Sequence, residues 1–135
     1  MIAVYPIILT ATNDEKDTYL VEIPDLKGFT EGFGLSDAIA MARDYIGCAC
    51  FDKDPIPEAS RLSDINVAEG TFAGDGESFA TLVDIDLDAY KRKMMSRAVR
   101  KNVSIPYWLN EEAEKNHINV SKVLQEALKE KLEMA

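Results

Sequence analysis

The chain has few of the residues from which most enzymes build their chemistry: two cysteines and one histidine among 135 residues. With His117 alone and distant in sequence from Cys48 and Cys50, there is no set with zinc-ligand spacing and no nucleophile–histidine pairing. Cys48 and Cys50 stand one residue apart in a helical pattern, so their side chains diverge by roughly 200° and cannot readily bridge each other. They read as reduced thiols used for packing. Long hydrophobic runs are missing too. No stretch approaches the ~20 apolar residues of a membrane span, and the opening MIAVYPIILTATNDE has neither a basic lead nor a small-residue cleavage site. These absences predict no metal, no cofactor, no membrane contact and a cytoplasmic location.

Basic residues are scarce in one place only. Residues 1–90 hold 18 acidic and 5 basic side chains, a net of −13, whereas residues 91–135 hold 6 acidic and 10 basic, a net of +4. The chain as a whole carries −9. Lys91, Arg92, Lys93, Arg97, Arg100 and Lys101 follow one another with no acid among them. A boundary near residue 90 is therefore expected between an acidic body and a basic tail, each with its own partner. The length suits one compact domain, or a small domain plus an appendage, and 47% hydrophobic residues are enough to fold it.

Within the body, IAVYPIILTAT predicts a strand, with Pro6 arguing for an edge or a bulge. TYLVEIPD alternates, placing Tyr19, Val21 and Ile23 on one face and Leu20 and Glu22 on the other, so the first two strands read as a hairpin. A short third strand is expected around Phe29 to Glu31. Ser36 is the expected cap of a helix carrying Leu35, Ala38, Ile39, Ala42, Tyr45, Ile46 and Ala49 at spacings of three and four. DKDPIPEASRL reads as a loop, with Asp52 and Asp54 as turn formers, and SFATLVDIDLDAY as a last strand. The order β-β-β-α-β is an α+β layer.

YLVEIPDLKGFTEGFGLSDAIAMARDYI followed by PIPEAS resembles the HicB antitoxins of HicA–HicB toxin–antitoxin pairs, over most of residues 1–92. The resemblance implies an N-terminal domain similar to a truncated ribonuclease H fold that covers the active site of a small, basic, mRNA-cleaving HicA-like toxin. The charge agrees, since a surface of −13 suits a basic protein and repels RNA itself.

The tail, VRKNVSIP, predicts a strand with Val99, Val103 and Ile105 on one face, Lys101 between them, and Arg100, Asn102 and Ser104 on the other. Pro106 ends it and starts a helix with Trp108, Leu109 and Ala113, in which Glu111 and Glu112 stand in or just beyond the first turn. The turn at Asn116 and His117 lacks the usual glycine, and Asn116 is expected to take the left-handed conformation. Asn119 then caps a helix whose Val123, Leu124, Ala127, Leu128 and Leu132 form an apolar stripe. So short a unit cannot bury that stripe alone, which predicts a homodimer or higher even oligomer with a core of Val103, Ile105, Leu109, Val123, Leu124 and Leu128.

This β-α-α pattern, from about Arg97 to Met134, resembles the ribbon-helix-helix DNA-binding fold that HicB antitoxins frequently carry at their C-terminus. The expected domains are residues 1–92 and 97–135. A two-stranded ribbon fits a B-DNA major groove, where Arg100 would donate to guanine, Asn102 would pair with adenine and Ser104 would contact either. Lys101 would reach phosphates, and the amides around Val120 and Ser121 would clamp one. The reading is a non-enzymatic antitoxin that also represses its own operon.

Two other functions stay open on sequence alone. One is a ribbon-helix-helix regulator whose acidic domain senses a small ligand. The other is a nuclease using Asp84, Asp86 and Asp88, whose alternation in a strand would project carboxylates from one face at about 6.6 Å intervals. Against the nuclease, Asp86 or Asp88 can instead cap a helix beginning at Ala89.

Overall fold

The computed structural model describes residues 1–133, so Met134 and Ala135, the end of the expected C-terminal domain, lie outside the described residues. The chain divides into two compact units, Met1–Arg97 and Ala98–Ala135. In the first, β1 (Ile2–Thr12), β2 (Thr18–Ile23), β3 (Gly28–Phe33) and β4 (Gly76–Asp86) form one antiparallel sheet in the order β3-β2-β1-β4. Helix α1 (Leu35–Cys50) packs on one face of the sheet, and α2 (Leu87–Met94) follows β4 directly. The second unit holds α3 (Tyr107–Lys115) and α4 (Val120–Lys131). The class is α+β, as the sequence predicts.

The alternation read from the sequence for β2 extends in the structure to β1 and β4, and the three strands close the core together. Ala3, Tyr5, Ile7 and Leu9 of β1, Val21 and Ile23 of β2, and Val83 and Ile85 of β4 meet Ala38, Ala42, Ile46 and Cys50 of α1. Burying a side chain the size of Ile46 contributes about 1.5–3 kcal/mol. The close approach of α1 depends on Gly32, where an added Cβ would stand 2.4 Å from the backbone of Ala38. Cys50 lies in this core, whereas Cys48 is exposed, so the packing role expected of both cysteines holds for Cys50 alone; their spacing turns the two side chains apart.

Three local expectations need correction. The cap of α1 is Gly34, at φ 93°, and Ser36 lies inside the first turn. The Asp37 carboxylate instead accepts from Phe33 N at 2.9 Å. Pro6 stands in a central strand, but at a point where that strand has one neighbour only. Leu87 N donates to Met1 O and Asn13 N to Asp75 O, so odd-numbered β1 residues form the hydrogen-bonded pairs with β4. Even-numbered residues, Pro6 among them, turn their backbone groups toward β2, whose last residue, Ile23, comes before the position opposite Pro6. The missing N–H therefore costs no ladder bond.

The third correction concerns the tail. No regular structure forms from Ser96 to Pro106, so the strand expected over Val99 to Ile105 is absent from the single chain. A strand requires a neighbour, and this chain supplies none for that segment.

The proline-bearing loop is fixed from both sides. The Tyr5 hydroxyl donates to the Pro57 carbonyl, and Ser60 gives Asp25 two hydrogen bonds, from its amide at 3.0 Å and its hydroxyl at 2.6 Å. The IPD turn and the PIPEAS segment are thereby joined across 35 residues.

Candidate functional site

The tail helices carry the caps their sequence calls for. Asn119 Oδ1 accepts from Lys122 N at 3.1 Å, with the amides of Val120 and Ser121 ahead of it in the same turn. Pro106 is the cap of α3 and not its first helical residue, and Glu111 and Glu112 fall in the second turn, where Glu112 pairs with Lys115 at 3.8 Å. Helix α3 ends with Ile118 N donating to Ala113 O at 3.0 Å and His117 N to Glu114 O at 3.1 Å, the paired bonds of a Schellman motif. Here the left-handed residue is His117, at φ 54°, and not Asn116, whose side chain donates to Glu112 O at 2.7 Å.

No described residue after Arg97 is buried. Val123 is 50% exposed and Leu128 53%, Val103, Ile105 and Leu109 are exposed as well, and Leu124 is half-buried. Apart from the half-buried Leu124, the expected dimer core is thus solvent-facing in the single chain. A groove of about 530 Å³ brings Val99, Arg100 and Lys101 beside Ser121, Leu124 and Leu128. It unites part of the expected DNA-contacting set with part of the apolar stripe. Asn102 and Ser104 are exposed and lie outside its lining.

The aspartates of VDIDLDAY are each engaged, and not as a shared centre. Asp84 pairs with Arg43 at 3.5 Å. Asp86 Oδ1 caps α2, accepting from Asp88 N and Ala89 N at 3.1 Å each, so the helix starts two residues earlier than expected. Asp88 lies in α2 and not on the strand, and it takes the Met1 ammonium, which holds its carboxyl below the usual carboxylate range. Among the described residues no group of three or more metal-ligating side chains converges.

Sequence reasoning did not see Arg43, whose partner lies 41 positions away. It also missed Tyr90, whose hydroxyl donates to Asp44 at 3.0 Å; burial and that carboxylate push its pKa up to about 12. Both interactions join α1 to the β4–α2 segment, and neither has a periodic signal.

The family model described as "HicB_like antitoxin of bacterial toxin-antitoxin system" matches residues 5–128. The chain belongs to this family. A solved structure, that of the Burkholderia pseudomallei antitoxin HicB, is similar over 96% of this chain and 96% of its own, at 24% identity and a TM-score of 0.46. No curated protein matches. The family places the chain in a toxin–antitoxin system, and no helix among the described residues is long and apolar enough to cross a membrane.

Proposed function

We propose that the chain is a cytoplasmic, non-enzymatic antitoxin whose acidic body, residues 1–92, neutralises a HicA-like mRNA-cleaving toxin, and whose tail, residues 97–135, dimerises to bind operator DNA. In this reading the body is a partial ribonuclease-H-like domain and the tail a ribbon-helix-helix. The observation that carries the second half is the unburied tail: a unit with an apolar stripe and no buried residue among those described needs a second copy. Pairing the segment from Val99 to Ile105 with its copy would supply the missing strand neighbour and turn Arg100, Asn102 and Ser104 outward. Lys101, Val120 and Ser121 would hold phosphates.

Family membership and the −13 charge of the body support the first half. The experiment is toxin inhibition by the isolated body. Residues 1–97, which form one compact unit, should suppress the toxin's RNA cleavage and leave DNA unbound. A fully active toxin at concentrations where the intact chain inhibits it would refute the division of labour.

A further inference from the structure

The sheet face opposite α1 is covered unevenly. Over its centre lies the loop that precedes β4: Thr71 gives Glu22 two hydrogen bonds, at 3.0 and 2.9 Å, and Phe72 meets Phe29 edge-on at 5.5 Å. Ile8 beneath it is 5% exposed. At the end where β1 begins and β4 finishes, no described residue of the unit Met1–Arg97 covers the same face. Ile2 is 60% exposed, Val4 43% and Leu82 50%. The register sets Leu82 opposite Pro6, Val4 opposite Asp84 and Ile2 opposite Asp86. All lie on one face, with Val4 and Leu82 diagonal neighbours about 7–8 Å apart. The result is a contiguous apolar patch with two carboxylates along its β4 side.

The geometry points to this Ile2–Val4–Leu82 patch as the docking surface for a cationic protein, with an apolar contact at its centre and lysine or arginine side chains around it. The inference rests on the toxin-neutralising reading and names the surface that would perform it. Charge decides the occupant. A second copy would bring another body of −13 against this one, and nucleic acid has the same sign of charge, whereas a basic protein is attracted by the acidic excess of the whole body while covering the apolar side chains. Addition of a partner strand to β4 is hindered at this end, because Arg43 Nε already occupies the Asp84 carbonyl at 2.8 Å. The partner is therefore received on the face and not on the edge.

The test is calorimetric titration of the full-length protein with a catalytically inactive form of the cognate toxin, using Leu82→Arg and, as a control for added charge, Phe33→Arg. Phe33 is also exposed but stands on β3, at the far side of the sheet. Leu82→Arg should weaken toxin binding about 100-fold, as expected for a central interface residue, with melting temperature, dimer mass and DNA binding unchanged. Phe33→Arg should bind as the wild type does. Wild-type affinity in Leu82→Arg, with wild-type binding intact, overturns the docking surface alone. A wild-type protein that does not bind the toxin overturns the functional reading and this surface with it. A smaller assembly for Leu82→Arg in sedimentation would assign the patch to association between copies and overturn the proposal.

Discussion

Arg43 Nε donates to the main-chain carbonyl of Asp84 across 2.8 Å, tying the middle of α1 to the outer edge of β4. The alternation of the β1–β4 ladder turns that carbonyl away from β1, so without Arg43 it would be one of the open acceptors of an edge strand. The same guanidinium pairs with the Asp84 carboxylate at 3.5 Å. A carboxylate so placed serves the strand edge, which weighs against a metal-dependent nuclease at this position.

Arg43→Ala should therefore open the β4 edge to self-pairing. Analytical ultracentrifugation across a concentration series should show higher assemblies that the wild type lacks, with the thermal midpoint only slightly changed. Unaltered association would mean that the edge is protected by other means.

Gly32→Ala should be among the most damaging single-methyl changes in the body. Its Cβ would meet backbone and not a movable side chain, 2.4 Å from Ala38. Either α1 lifts from β3 or the strand shifts, at a cost of about 3 kcal/mol. Urea denaturation of the body's transition measures it.

His117→Gly should act in the opposite direction. A non-glycine residue at φ 54° pays about 1 kcal/mol for the left-handed conformation that glycine adopts freely. The variant should raise the stability of the tail by about that amount, read from the denaturant midpoint at fixed protein concentration.

Much of the body was legible because its elements are set by local alternation. Tyr19, Val21 and Ile23 point to the core side, Ala38, Ala42 and Ile46 recur on the buried side of α1, and Asp86 and Asn119 cap the helices that follow them. What was not legible depends on partners distant in sequence or on backbone conformation. Ser36 has the chemistry of a cap, yet the chain enters α1 through Gly34 at φ 93°, a conformation that side-chain-bearing residues rarely adopt. Asp88 continues the alternation of Asp84 and Asp86, but the cap at Asp86 has already begun a helix. The tail segment from Val99 to Ile105 alternates as a strand should, and alternation alone gives it no neighbour to pair with.

Leu128→Asp tests the dimer core proposed for the tail. Leu128 is 53% exposed in the single chain, where aspartate would be harmless, whereas between two chains it would bury an unpaired charge at a cost of several kcal/mol per chain. Sedimentation should show a monomer with a folded body. An intact dimer would place the association interface elsewhere.

The most direct test of the tail's role is a gel-shift titration of the promoter duplex and a scrambled duplex with wild type, Arg100→Ala and Asn102→Ala. Each variant should lose about 1–3 kcal/mol on the promoter and much less on the scrambled sequence. Replacing Lys91, Arg92 and Lys93 should weaken both duplexes alike and flatten the salt dependence by roughly one unit of slope for each phosphate no longer neutralised. Equal losses on both duplexes for Arg100→Ala and Asn102→Ala, or unchanged binding, would contradict the assignment of this segment as the part of the chain that reads DNA.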